Sequence, residues 1–175
     1  MANTYTQLYI QFVFAVKGRQ SLIQPSWKND LYKYITGIIQ NNKNKLIAIN
    51  GMADHIHIFI GYKPAVSIPE LVKDIKVAST LWINGNKLCT SKFAWQEGYG
   101  AFSYSQSHID VVCDYIKNQE LHHPKKSFKD EYLKLLKNFN VEYDDKYLFD
   151  FINEEMAGST PTELPNTKTF NAINI

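Results

Sequence analysis

Arginine is almost absent from this chain. Arg19 is the only arginine among 19 basic residues, and the formal net charge is only +2. Lysine carries its charge on a flexible stem and lacks the planar guanidinium that binds a phosphate through two parallel hydrogen bonds. The composition therefore gives no overall charge argument for a nucleic-acid partner, and phosphate contacts have to come mostly from lysines.

Cysteine is scarce as well, and long apolar runs are missing. Cys89 and Cys113 are isolated from each other and form no CxxC pair. This excludes a disulfide framework and is typical of a reducing compartment. No apolar run approaches the roughly 20 residues that span a bilayer, and the polar N-terminus does not resemble a signal peptide. We therefore expect a soluble, cytoplasmic protein.

The pattern of apolar residues predicts a single domain over residues 1–149, followed by a polar and partly mobile tail over 150–175. Hydrophobic periodicity predicts strands and helices in alternation. The strands are expected at 4–16, 46–50, 55–62 and, around a glycine-marked turn, 92–105. The helices are expected at 25–42 and 67–85, then at 107–121 and 128–139.

Two serines are the expected N-caps of helices. Ser67 precedes Glu70 by three residues, which is the spacing of a capping box, and Ser107 begins the third helix. The order β-α-β-β-α-β predicts an α+β fold of the ferredoxin-like or RRM-like type. This fold is an antiparallel sheet with helices on one face, here followed by a further C-terminal helix.

The third strand carries two histidines one residue apart, in the sequence Asp54-His55-Ile56-His57. Side chains alternate along a strand, so His55 and His57 share one face while the isoleucines pack on the other. That face is then either open or covered by another element. Two imidazoles at this spacing can bind one metal ion, although solvated histidines are the commoner explanation. Asp54 is expected on the opposite face, which makes it a poor third ligand.

The third helix, in the sequence SHIDVVCDYIKNQELHH, carries a tyrosine beside its apolar stripe. Tyr115 and Gln119 are four residues apart, so their side chains are neighbours on one flank of the helix. Such a tyrosine is most often a packing residue, and the helix alone does not assign it a chemical role.

Three segments in this order give the chain a closer resemblance. DHIH at 54–57, WQEGYGAFSYSQS at 95–107 and YIKNQELHH at 115–123 resemble the small single-tyrosine HUH transposases of bacterial insertion sequences, the IS200-like type. The resemblance implies that His55, His57 and Gln119 bind a divalent metal, Mg²⁺ or Mn²⁺, and that Tyr115 is the nucleophile. It also implies cleavage and rejoining of single-stranded DNA at hairpin-flanked ends through a 5′-phosphotyrosine.

The partners implied by the resemblance are single-stranded DNA with hairpin ends and a second copy of the chain. Candidate phosphate contacts are Lys17 and Arg19 after the first strand, and Lys73 and Lys76 on the second helix. Two alternatives stay open. The chain is a non-catalytic module that binds hairpin DNA or RNA, or a domesticated HUH endonuclease that acts on chromosomal repeats.

Overall fold

A computed structural model of the chain describes residues 5–122, 127–144 and 148. The predicted tail from residue 150 lies outside these residues. The described part folds into four strands and five α-helices. The strands are β1 (Leu8–Ala15), β2 (Lys45–Gly51), β3 (His55–Tyr62) and β4 (Gly100–Tyr104). The helices are α1 (Pro25–Asn41), α2 (Ile68–Gly85), α3 (Ile109–Lys117), α4 (Gln119–His122) and α5 (Phe128–Asn138).

The strands form one antiparallel sheet in the order β2-β3-β1-β4. The first strand therefore lies between the third and the fourth, as the β-α-β-β-α-β order requires. The ferredoxin-like prediction is confirmed. Within the predicted segment 92–105, only β4 forms a strand, and Trp95 contributes an isolated bridge to Val16.

One face of the sheet packs against α1 and α2 and forms the main core. Alternating residues of β1 and β3 point to this side, where they meet the apolar stripes of the two helices. The main buried side chains of the two central strands are Ile10, Phe12, Phe14, Ile56, Ile58 and Ile60.

The other face of the sheet is covered by α3 and α5. Phe59 packs against Val112 and Ile116 of α3, whereas Val13 and Ala15 pack against α5. His55 and His57 lie on this face and have no exposed surface. The histidine face is therefore covered by another element, which was one of the two outcomes left open by the sequence.

The caps of two helices show where the local prediction holds and where it fails. Ser67 and Glu70 form the predicted capping box at the start of α2. The prediction that Ser107 caps the third helix is wrong, because this serine lies inside a short 3₁₀ helix and its hydroxyl contacts Ser105 and His108 instead. Residue His108 occupies the N-cap position of α3.

The third predicted helix is interrupted at Asn118. The side chain of Asn50 on β2 donates to the carbonyl of Lys117, at 2.9 Å. The N–H of Leu121 bonds to Asn118, three residues earlier, and not to Lys117. The break separates α3, which carries Tyr115, from α4, which begins at Gln119.

None of the helices within the described residues is both long enough and apolar enough to cross a membrane.

Candidate active site

The two histidines of β3 form the centre of a buried polar cluster. Their ring centroids are 5.2 Å apart, and the rings are nearly perpendicular. Each ring has its Nδ1 atom engaged by a neighbouring side chain, Asp54 for His55 and Gln11 for His57. The two Nε2 atoms point toward the same acid, Glu131 of α5. The strand thus presents two imidazoles with fixed orientation and their Nε2 atoms converging.

Asp54 supports His55 directly, contrary to the expectation from strand alternation. Its Oδ1 atom lies 2.7 Å from Nδ1 of His55, because Asp54 belongs to the turn before β3 and does not follow the pleat of the strand. Its Oδ2 atom accepts from Arg19 at 3.0 Å. Burial alone would raise the pKa of Asp54, but the bonds and charges of His55 and Arg19 outweigh it and hold this pKa below the ordinary value.

Two side chains support His57 in series: Gln11 on β1, the strand next to β3, and Tyr104 on β4, the strand beyond β1. The amide of Gln11, which is completely buried, lies 2.9 Å from Nδ1 of His57. The hydroxyl of Tyr104 on β4 donates to the other end of this amide, at 2.8 Å. Partners of this kind on the second ring nitrogen fix the orientation of a metal-binding histidine.

Tyr115 lies directly beside this histidine pair. Its ring is 5.9 Å from that of His57, and its hydroxyl donates to Oε1 of Glu131. The side-chain amide of Gln119 donates to the same oxygen at 2.9 Å. Burial raises the pKa of Tyr115, and the charge and hydrogen bond of Glu131 raise it further. The phenol is therefore held in its protonated form and oriented by the acid.

Glu131 is the residue that the sequence reasoning missed. Glu131, His55 and His57 each offer a ligand atom, and these atoms all lie within 4.8 Å of one another. The sequence carried only a weak signal. On α5 the apolar positions Phe128, Tyr132 and Leu135 define a stripe, and Glu131 lies beside it, about 40° from Leu135 at about 100° per residue, where an acid is common. Its side chain is only 10% exposed.

Helix α5 also covers the histidine cluster, through Phe128. The ring of Phe128 stacks on that of His55, with 4.1 Å between centroids, and the guanidinium of Arg19 lies 5.6 Å above the same phenyl ring. The histidines, Tyr115 and Glu131 thus share a pocket from which water is largely excluded. Electrostatic interactions are strengthened in such surroundings.

The four basic residues predicted to contact DNA have different environments. Arg19 is bound to Asp54 and belongs to the scaffold of the histidine pair. Lys76 donates to the backbone carbonyls of Gln96 and Gly98 and so holds a loop of its own chain. Only Lys17 and Lys73 are exposed.

The arrangement places a tyrosine hydroxyl beside three groups that could hold a metal ion. Two imidazoles and one carboxylate form a set that suits divalent transition metals and magnesium alike. A tyrosine hydroxyl beside such a centre can attack a bound phosphodiester. In this geometry the Tyr115 hydroxyl is directed into the cluster, toward Glu131.

Comparison with known proteins gives a consistent picture. A profile of the family described as "Transposase IS200 like" matches residues 4–119, the segment that contains His55, His57, Tyr115 and Gln119. No curated protein matches the chain.

Two solved structures share the fold. One is a Deinococcus radiodurans protein described provisionally as a transposase, with 22% identity, a TM-score of 0.54, and coverage of 68% of this chain and 95% of the other. The second is a REP-associated tyrosine transposase bound to a REP hairpin, with 13% identity, a TM-score of 0.54, and coverage of 95% and 98%.

Proposed function

Because the chain belongs to the family of IS200-like transposases, we propose that it cleaves and rejoins single-stranded DNA through a covalent bond to Tyr115. The observation that carries this proposal is the position of the Tyr115 hydroxyl, beside His57 and in contact with Glu131. Eleven tyrosines are present in the chain, and Tyr115 is the one at the position that the family resemblance gives to the nucleophile; its ring also contacts that of His57.

The reaction exchanges one phosphoester bond for another. The oxygen of Tyr115 attacks the phosphorus of the scissile diester and loses its proton, while the bond from phosphorus to the 3′ oxygen breaks and that oxygen takes up a proton. The products are a 5′-phosphotyrosine and a DNA strand with a 3′-hydroxyl. Attack by a 3′-hydroxyl from the same or another strand reverses the step. Since the bond energy is conserved, rejoining needs no nucleotide cofactor.

The residues of the cluster fit a divalent metal. His55, His57 and Glu131 would hold the ion, and Gln119 would orient the carboxylate through the hydrogen bond that it donates to Oε1. Mg²⁺ or Mn²⁺ would polarise the phosphate and offset the negative charge that develops on its oxygens. Asp54 and Gln11 keep the two imidazoles turned toward that position.

The proposed substrate is single-stranded DNA with hairpins at the ends of the mobile element. One protein of similar fold is described as bound to a hairpin, which supports this choice.

A homodimer is the proposed assembly. In the described chain Tyr115 lies beside the histidines of its own chain, so we propose that each subunit carries a complete site in cis. Light scattering at several protein concentrations tests the dimer.

The decisive experiment traps the covalent intermediate. The protein is incubated with labelled single-stranded DNA from the flanks of its own gene, in Mg²⁺, Mn²⁺ or EDTA, and analysed on a denaturing gel. We expect a metal-dependent protein–DNA band that Tyr115→Phe abolishes while binding on a native gel persists. Tyr34→Phe is the matched control, because Tyr34 of α1 stacks on Trp82 of α2, on the opposite side of the sheet from the cluster.

Other outcomes favour the alternatives. A folded protein that shifts the DNA but never forms the covalent band is a binding module that has lost catalysis. A protein that forms the band on chromosomal repeats but not on the ends flanking its own gene is a domesticated endonuclease. In the second case Tyr115→Phe shows whether the phenol takes part.

A further inference from the structure

A second surface lies at the end of β3 opposite the histidines and extends around the edge of the sheet to the end of α1. Beyond His57 and Phe59, the next residue on the histidine face is Gly61, about 13 Å from His57 at the rise of a β-strand. Lys45 on the edge strand is paired with Gly61. A β-carbon on Gly61 would make only ordinary van der Waals contacts, at 3.8 to 4.0 Å, with Lys45 and Ile47.

Three lysines line an open groove at this end. Lys43, Lys45 and Lys63 are exposed and surround a groove of about 630 Å³, together with Gln40, Asn44 and Gly61. A second groove of about 460 Å³ shares Lys45, Gly61 and Lys63 and extends to Ile109, the first residue of α3. The two grooves connect the lysines with the start of the helix that carries Tyr115.

The lysines are held together by one buried side chain. Asn44 is 5% exposed; its Oδ1 atom accepts from the N–H of Lys63 at 2.8 Å, and its amide donates to the carbonyl of Asn42. This ties the turn after α1 to the end of β3. The three ammonium groups therefore emerge from a fixed frame, although their own side chains are flexible.

The charge of this groove is not compensated within the described part of the chain. No acidic residue lines either groove, and none of the three lysines forms an ion pair there. In contrast, Arg19, Lys28 and Lys33 are each paired with an acid of the chain. A groove with only positive charge raises the local concentration of polyanions and attracts a phosphate backbone.

We propose that this groove binds the sugar–phosphate backbone of the hairpin stem, with Lys43, Lys45 and Lys63 each neutralising a phosphate. The proposal rests on the proposed function, because it names the surface on which the same DNA is held while its single-stranded part reaches Tyr115. The groove lies about 13 to 20 Å from His57 along β3, so the stem and the scissile phosphate occupy separate places on the protein.

The test compares two triple variants that remove the same charge. Lys43→Gln/Lys45→Gln/Lys63→Gln changes the groove, and Lys33→Gln/Lys87→Gln/Lys92→Gln changes exposed lysines that line neither groove. Binding is measured by fluorescence anisotropy at several salt concentrations. The probes are a DNA hairpin with a single-stranded extension and an oligo-dT of equal length.

We expect the groove variant to bind the hairpin at least about tenfold more weakly than the control variant does at low salt. The slope of log K against log salt should fall by about 2 to 3, since each duplex phosphate contact contributes about 0.9. Equal hairpin affinities and slopes for the two variants would overturn the proposal. An equal loss on oligo-dT would overturn the assignment to a stem.

The covalent assay separates this inference from the proposed function. If wild-type protein forms the Tyr115 adduct but the groove variant binds like the control, the groove is excluded while the transposase chemistry stands. If the hairpin affinity falls as expected but no adduct forms, the groove stands and the chemistry fails. Circular dichroism and thermal unfolding of both variants check that the exposed substitutions leave the fold unchanged.

Discussion

The hydroxyl of Tyr115 donates its hydrogen to the carboxylate of Glu131, which lies 16 residues further along the chain. Tyr115 lies within the family-matched segment 4–119, whereas Glu131 lies outside it. The proposed nucleophile is therefore oriented by a residue from a different helix, and the same carboxylate faces both histidines. This contact connects the proposed chemistry with the C-terminal part of the described fold.

Replacement of Glu131 tests which residue is the third metal ligand beside the two histidines, Glu131 or Gln119. If Glu131 is a ligand, Glu131→Gln lowers the affinity for Mn²⁺ by at least about tenfold, because a carboxylate is exchanged for a neutral amide of the same shape. Gln119→Met should have the smaller effect. Calorimetric titration of the DNA-free protein measures both. The reverse order would assign the third ligand to Gln119, as the family resemblance implies.

Asp54 is expected to act on the metal through His55. Asp54→Asn keeps an oxygen near Nδ1 but removes the charge, so we expect Mn²⁺ affinity to fall by about 10- to 100-fold. Loss of the partly buried bond to Arg19 should also lower the free energy of unfolding by about 1–3 kcal/mol. Asp30→Asn, in an exposed pair with Lys33, is the control for urea unfolding and should change neither quantity. Unaltered metal binding in Asp54→Asn would exclude the supporting role.

Gly51 is required by the close approach of two strands. A β-carbon there would lie 2.2 Å from the carbonyl oxygen of His55, whereas one on Gly37 would meet nothing within 4 Å. Gly51→Ala should therefore displace the start of β3 and cost about 1–3 kcal/mol or more. Gly37→Ala, inside α1, should be neutral or slightly stabilising. Thermal unfolding of the two variants measures the difference. Equal stabilities would contradict the close approach of the strands at Gly51.

Lys76 is expected to contribute to stability and not to DNA affinity. Lys76→Met removes the bonds to the carbonyls of Gln96 and Gly98 and should destabilise the fold by about 1–3 kcal/mol at neutral pH. Lys73→Met, on an exposed position of the same helix, should leave stability unchanged. If Lys76→Met weakens hairpin binding while the fold keeps its stability, the residue contacts DNA after all.

The pH dependence gives a second measure of the Lys76 environment. Burial lowers the pKa of Lys76 from 10.5 to about 8, and the charge of Glu97 partly opposes this change. Between these values the unfolded chain binds the proton and the folded chain does not, so the free energy of unfolding should rise with pH from about 8 to 10.5 through this group. The difference between wild type and Lys76→Met isolates the contribution. A difference that stays constant over this range would exclude the lowered pKa.

Local signals in the sequence predicted most of the fold. The strand spacing of His55 and His57, the apolar stripes of α1 and α2 and the Ser67 capping box depend on neighbours within one element, and they appear where expected. The contacts that complete the site do not depend on local pattern. Arg19 reaches Asp54 across 35 residues, and the docking of α5 brings Glu131 to the histidines.

The errors have the same physical origin. Alternation placed Asp54 on the far side of the strand because it assumed a regular pleat, whereas the residue lies in a turn. Periodicity predicted an unbroken helix to Leu121. It considers only residues of the helix itself and so does not include Asn50, whose side chain donates a hydrogen bond to the carbonyl of Lys117. In both cases a side chain distant in sequence or a local turn outweighed the repeat of the element.

The hydrogen bond from Tyr104 to Gln11 joins residues that are 93 positions apart, and it exists only when β4 has paired with β1. The two residues that hold His57 are thus synthesised at different times: Gln11 comes early in the chain, and Tyr104 comes much later. Contacts of such long range form late in folding. A partly synthesised or partly folded chain therefore lacks an ordered cleavage centre, and the ability to cut DNA arises together with the complete domain.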